Sequence, residues 1–255
     1  MTLAALWLAG CATEEHKEAA LARLGDESPP DFLVGPAAAA LTNFDGFSAS
    51  VVSTASSGAG GRAVSGQVIE RRGQLIFQPL ATANISGGKI VRGGMYFIWD
   101  SAGQRGYVVS EALQGFAPIT APSRVATVTP ENKEPVAERA NGHACHRIEK
   151  MAALNDESTA KLTEWRADDL NKFPVRVRSE SQGRQTTVDF SNIRLDIPPP
   201  ELFVPPGGFT QYASAAALIN ELMIRESSLK EKPLGESPAA DQSANMRTPG
   251  IGHPQ

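Results

Sequence analysis

Between Phe47 and Ile197 apolar residues recur at every second position in short runs, and turn residues separate the runs. A period of two places successive side chains on opposite faces of an extended chain, which an amphipathic helix cannot satisfy. Phe47, Ala49 and Val51 alternate with Ser48, Ser50 and Val52, and Val64, Gly66 and Val68 resume the pattern. Residues 53–61, rich in Ser and Gly, read as a flexible loop between them. Further strands are expected at residues 75–77, 104–110, 162–166, 173–180 and 184–197. Nothing in their order suggests βαβ crossovers, so they are expected to pair antiparallel.

Three local features sharpen this reading. Met95 to Trp99 (MYFIW) is apolar on both faces, so that strand must be covered on both sides, by a helix on one of them or by a ligand. Asn141-Gly142 joins residues 135–140 to 143–154, and both residues accept the positive φ of a two-residue hairpin turn. Within residues 184–197, Val188 and Phe190 lie in one phase while Ile193, Leu195 and Ile197 lie in the other. A phase switch near Ser191-Asn192 implies a bulge, the device by which a strand follows a strongly curved sheet.

The two ends of the chain differ from its body. A short apolar run, Leu3 to Leu8, leads into Leu8-Ala9-Gly10-Cys11, which resembles a bacterial lipoprotein signal with its lipobox. Small residues let the peptidase approach the backbone, and the Cys11 sulfur is the nucleophile that takes the diacylglyceryl group. The usual Lys or Arg before the run is missing and the run is short, both of which a translation start further upstream explains. Ala12, rather than Asp, after the cysteine resembles the sorting pattern of outer-membrane lipoproteins. With Cys11 acylated only Cys145 remains, and no intramolecular disulfide is expected. Residues 14–24 carry good helix formers with a narrow stripe of Ala20, Leu21 and Leu24. Leu218, Ile219, Leu222, Met223 and Leu229 recur at helical spacing after Ser214, a suitable N-cap. From about Glu226 the chain turns rich in Ser, Pro, Glu, Lys and Gly, the composition of a disordered tail. The expected organisation is a signal over 1–11, a helix and connector over 12–43, a β-rich domain over 44–212, a helix over 213–230 and a tail over 231–255.

Trp165-Arg-Ala-Asp-Asp169-Leu170 followed by Phe173-Pro174-Val-Arg-Val looks like the strand, loop and strand near the end of LolA-like domains. Ile197-Pro198 with Leu202-Phe203-Val-Pro205-Pro-Gly207-Gly-Phe209 looks like their closing segment. Together with the lipobox, the chain resembles bacterial lipoproteins whose body is a LolA-like half-barrel, over roughly residues 44–212. The Pro198-Pro199-Pro200 run, the C-terminal helix and the polar tail depart from that pattern. The resemblance implies an α+β fold: a strongly curved, mostly antiparallel, unclosed β-barrel with short N- and C-terminal helices, holding an apolar cavity for acyl chains. A concave apolar face buries lipid-like area at about 25 cal/mol per Å², so a single acyl chain supplies several kcal/mol. Candidate lining residues are Phe47, Val51, Val68, Phe77, Phe97, Trp99, Val108, Trp165, Val175 and Phe190.

Other chemistry finds little support. Lys plus Arg total 24 against 28 for Asp plus Glu, so no nucleic acid partner is implied. No apolar run approaches the roughly 18 residues of a spanning helix. His143-Ala144-Cys145-His146 is a cluster of soft ligands, but on a strand His146 points away from the other two, so no metal site is expected. The Gly58–Ala63 and Ser86–Lys89 stretches lack the context of nucleotide loops and read as a flexible loop and a turn, and no G-x-S-x-G or H-E-x-x-H occurs. Asp168-Asp169 reads as a solvated turn, and Arg176 with Arg178 as a solvated strand face suited to an anionic head group. The expectation is a non-enzymatic, cofactor-free envelope lipoprotein, anchored to the membrane through Cys11 on the periplasmic face of the outer membrane and binding a lipid or acylated ligand. A structural module whose core is filled by its own side chains is the alternative. A hydrolase assembled only by folding is a weaker third, since only four His are present, with His16 and His253 near the ends.

Overall fold

The alternating runs become strands, and nearly all of them join one sheet. The computed structural model describes residues 31–230 apart from 42–43, 58–59, 81–82, 86–88, 92–93, 101–102, 121–124 and 132. The expected signal, the helix at 14–24 and the tail therefore lie outside the described residues. The first half of the sheet comprises β1 (Phe47–Ser57), β2 (Gly60–Arg71), β3 (Gln74–Pro79), β6 (Met95–Asp100), β7 (Arg105–Ser110) and β8 (Gly115–Thr120). A small separate ribbon, β4 (Ala83–Ile85) with β5 (Lys89–Val91), interrupts that series. The second half comprises β9 (Val125–Pro130), β10 (Val136–Ala140), β11 (His143–Leu154), β12 (Thr159–Ala167), β13 (Pro174–Ser181) and β14 (Arg184–Arg194), and the two-residue β15 (Thr210–Gln211) closes the list.

The sheet runs β10-β11-β12-β13-β14-β1-β2-β3-β6-β7-β8-β15, with β9 beside β10 on the same edge of β11. All its pairs are antiparallel except β15 on β8. Its two ends do not meet, so the curved sheet is an unclosed half-barrel, the α+β architecture implied by the resemblance. Helices are few: α1 (Asp31–Val34) with a 3-10 turn at Pro36–Leu41, and α2 (Ala215–Lys230). Among the described residues no helix is long and apolar enough to cross a membrane.

The inner face holds the main core. Phe47, Val51, Val68, Phe77, Phe97, Val188 and Phe190 meet Phe32, Leu33, Ala40 and Leu41 from the N-terminal turns and Leu218, Ile219 and Leu222 from α2. The Ser214 hydroxyl accepts the Ala217 amide at 3.2 Å, capping α2 as its sequence predicts. The MYFIW strand is covered on both faces. Met95, Phe97 and Trp99 enter the main core, while Ile98 and Tyr96 join Ile76, Val109, Phe203 and Phe209 on the other side. The second cover is a strap: after β14 the chain makes a 3-10 turn at Pro200–Phe203 and crosses the outer face to reach β15.

The turns follow their residues. Asn141 and Gly142 take φ of 50° and 88°, as a primed two-residue turn requires. The phase switch in β14 is a bulge: Ser50 pairs with Ser191 but Ser48 with Arg194, and Asn192 sits at φ 52° with its amide donating to the Ser50 hydroxyl. Two expectations need correction. Residues 53–57 and 60–61 are not a loop; they continue β1 and β2 with Ser53 opposite Val64 and Ser57 opposite Gly60, because ladder bonds to two flanking strands outweigh a Ser/Gly composition. Beyond Arg194 the strand stops short of the proline run, and Leu195 and Ile197 are exposed rather than packed.

Candidate functional site

A cleft of about 380 Å³ lies at one rim of the half-barrel, between the N-terminal turns and two hairpin ends. Its apolar wall is the lid formed by α1 and the 3-10 turn, through Phe32, Gly35, Pro36 and Ala37. Pro36 opens that turn and the alanines after it keep it thin, so the backbone lies close on the sheet with Ala37, Ala40 and Leu41 buried. Phe32 reaches past the cleft and meets Phe77 edge to face, with ring centroids 5.2 Å apart.

The polar wall comes from the sheet. The β11–β12 turn contributes Leu154, Asn155, Asp156 and Ser158, where the Asp156 carboxylate accepts both the amide and the hydroxyl of Ser158. The β13–β14 hairpin contributes Ser179, Ser181, Gln182, Arg184 and Thr186. Ser179 and Thr186 face each other in register two residues beyond Val177 and Val188, so the inner face changes from aliphatic to hydroxylic as it reaches the rim. An amphiphile meets apolar lid on one side, hydroxyls on the other and the exposed Arg184 at the mouth.

Below the lid, the inner face carries charges. The fully buried Glu164 carboxylate accepts Lys150 Nζ at 2.7 Å and Arg166 Nε at 2.6 Å. Arg166 also donates from Nη2 to the Ala40 carbonyl of the lid at 3.5 Å and from Nη1 to the Lys172 carbonyl at 3.1 Å. The cluster ties lid and sheet together at the end of the core.

The sequence-predicted lining residues are all in the interior, none more than 5% exposed. Phe47, Val51, Val68, Phe77, Phe97, Trp99, Val108 and Phe190 share the main core, whereas Trp165 and Val175 belong to a small second cluster with Ala140, Cys145 and Ala167. None of them lines the cleft. The cleft residues were not singled out from sequence. The one legible signal is the run of hydroxyls at Ser179 and Ser181 in phase with Val175 and Val177, marking where the buried face reaches water.

The HACH segment opens β11 beside the 3-10 turn Asp168–Leu170. His143 Nδ1 lies 2.9 Å from Asp169 and His146 Nδ1 2.9 Å from Asp168, so the acids of this turn are not simply solvated: each takes one histidine. The Lys172 ammonium, and then His146, hold the Asp168 carboxyl below its ordinary value, and His143 does so for Asp169. The buried Cys145 thiol points to the Ala140 and His143 carbonyls, and burial pushes its pKa up. Among the described residues no group of three His, Cys, Asp or Glu is arranged to hold a metal.

No protein-family model and no curated protein matches the chain. Among solved structures it is similar to the lipoprotein LppX from Mycobacterium tuberculosis, at 16% identity and a TM-score of 0.39, covering 71% of this chain and 99% of that one. It is similar to LprF from Mycobacterium bovis, at 13% identity and a TM-score of 0.36, covering 72% and 97%. A DUF1329 family protein from Desulfovibrio piger matches at 11% identity and a TM-score of 0.37, covering 73% and 96%.

Proposed function

We propose that this chain is a non-enzymatic bacterial envelope protein, anchored through Cys11 to the periplasmic face of the outer membrane, that binds a lipid or other acylated ligand at the rim of its half-barrel. The observation that carries the reading is the cleft of about 380 Å³ with an apolar lid on one side and hydroxyls with Arg184 on the other. That volume is at the small end for ligand sites and suits one chain or head group at a time. A longer chain requires the lid to lift. Phe32 then leaves Phe77, and the ligand meets the face formed by Phe47, Val51, Val68, Phe77, Phe97, Trp99, Val108 and Phe190, while Trp165 and Val175 stay in the separate second cluster. Removing Phe32 from its core contacts costs about 2–3 kcal/mol, which the same apolar area on a bound chain offsets.

Native mass spectrometry of protein purified from membranes tests this reading: a co-purifying lipid is expected, and Thr186→Trp, which fills the cleft, should lose it while keeping the circular dichroism of the parent. A consistently bare chain overturns it. Metabolic labelling with a palmitate analogue tests the anchor, with label expected on the parent and absent from Cys11→Ala.

A second reading is favoured by one observation, the burial of every candidate lining residue. In that reading the half-barrel is filled by its own side chains and serves as an envelope interaction module. The bare chain that overturns the first reading is what this one expects.

A further inference from the structure

On the outer face, away from the cleft, cross-strand register sets Arg147, Trp165, Arg176 and Asp189 side by side from β11 to β14. Trp165 is buried, although it sits on the solvent side of the sheet, and guanidinium groups cover it: the Arg176 and Arg178 carbons stand 6.0 and 5.4 Å from its ring centroid. These arginines are not equally satisfied. Arg176 is held by Asp189 at 2.6 Å and by Asn141 at 3.2 Å. Among the described residues Arg147 reaches only Glu138, at 3.7 Å, and the same carboxylate accepts the Trp165 indole N–H at 3.1 Å. Arg178 has the Trp165 ring as its partner and no carboxylate. The Nε atoms of Arg147 and of Arg178 are both shielded from water and have no hydrogen-bond partner among the described residues.

The shielded Nε groups lie against the sheet, while the rest of each guanidinium stays open to solvent, the Arg147 side chain being 35% exposed. Two such guanidiniums flank one indole. The Thr163 and Thr187 hydroxyls lie on either side of Arg178 in register. The nearby Glu149 is engaged by Lys133 and Lys161 and does not compete. Around Trp165 the guanidiniums of Arg147 and Arg176 meet the carboxylates of Glu138 and Asp189, Arg178 meets no carboxylate among the described residues, and Glu149 and Glu180 stand two residues from Arg147 and Arg178 on the same strand faces. Guanidinium edges chelate tetrahedral oxyanions through paired N–H donors, and an aromatic floor holds the edges in place.

We propose that Arg147, Trp165 and Arg178 form a binding site for a phosphate group on the outer face of β11–β13. The geometry suits a phospholipid head group and free phosphate alike, and the test separates the two. The chain with Cys11→Ala is titrated with inorganic phosphate, following the indole N–H resonance of Trp165, and in parallel is sedimented with phosphatidylglycerol or phosphatidylcholine vesicles. The expected result is a saturable shift of that resonance, about tenfold weaker in Arg178→Gln and in Arg147→Gln and unchanged in Arg225→Gln. Co-sedimentation with phosphatidylglycerol vesicles that Arg178→Gln abolishes identifies the head group as the source. A phosphate shift without vesicle binding supports the site and identifies free phosphate. No shift with phosphate, a shift that chloride reproduces, or a shift that Arg178→Gln leaves intact overturns the proposal.

Discussion

The Glu164 carboxylate receives Arg166 Nε at 2.6 Å across two positions of the same strand face, inside the core and directly under the lid. Lys150 completes the cluster at 2.7 Å. Removing the only carboxylate leaves two mostly buried cations facing each other. Glu164→Ala is therefore expected to lower unfolding stability by about 3–5 kcal/mol, read from urea denaturation. Exchanging Lys150, Glu164 and Arg166 together for Met, Leu and Met is expected to recover most of the loss. A single substitution that leaves the urea midpoint unmoved contradicts this account.

Glu70 behaves in the opposite sense. It is buried at the β2–β3 turn, where Oε1 accepts the Gly73 amide and Oε2 has no partner among the described residues. Burial raises its pKa above the ordinary 4.5, with the Gly73 hydrogen bond pulling back and Asp45 adding to the rise. A carboxyl whose folded pKa is raised holds its proton better in the folded chain, so ionisation costs stability. The cost is fully present above the folded pKa and vanishes as pH falls below 4.5. Glu70→Gln keeps the acceptor for Gly73 and is expected to raise the melting temperature at pH 7 to 8, by the equivalent of about 1 kcal/mol, and to converge on the parent near pH 4. A gain that grows on acidification refutes the assignment.

Two glycines separate close packing from backbone conformation. A Cβ on Gly106 meets the Ile98 carbonyl oxygen at 2.0 Å, with backbone atoms of β6 behind it that have no room to move. At Gly142 a Cβ meets nothing within 4 Å, but φ is 88°. Gly106→Ala is expected to cost about 3 kcal/mol or to prevent folding, and Gly142→Ala about 1 kcal/mol, by thermal unfolding. Equal costs at the two positions are incompatible with this geometry.

Cys145 is buried with its pKa pushed up by burial, so little thiolate is available at neutral pH. In a Cys11→Ala chain, where it is the sole thiol, a thiol-reactive disulfide reagent is expected to label it slowly under native conditions and fully in urea. Rapid native labelling excludes the buried placement.

The sheet was legible wherever a residue had one local role. The MYFIW strand announced two covered faces, the Asn141-Gly142 pair its turn, and the parity change around Ser191-Asn192 its bulge, because each is decided by neighbours in sequence. The cleft was not legible. Its walls come from Phe32, Ser158, Ser179 and Arg184, whose meeting depends on how far the sheet curls and where the lid lands. Apolar alternation finds a buried face but does not tell a filled interior from an open one, and eight of the ten candidate lining residues are buried on just that face, with Trp165 and Val175 in the second cluster. The pairing of His143 with Asp169 and of His146 with Asp168 was likewise hidden, since it rests on the register of β11 with the turn after β12.

The central seam of the sheet joins β1 to β14, with Ser50 opposite Ser191 and Ser56 opposite Gln185. The other neighbour of β1 is its hairpin partner β2, so the amino-terminal meander can pair locally before β14 has been made. Until more than a hundred further residues have been made, one full edge of β1 has unpaired amides and carbonyls, next to the aromatic residues Phe47 and Phe77. Chains built this way fold slowly, and their nascent form is the state most exposed to misassociation. A chain cut before β14 is therefore expected to aggregate rather than to fold in part, read by light scattering.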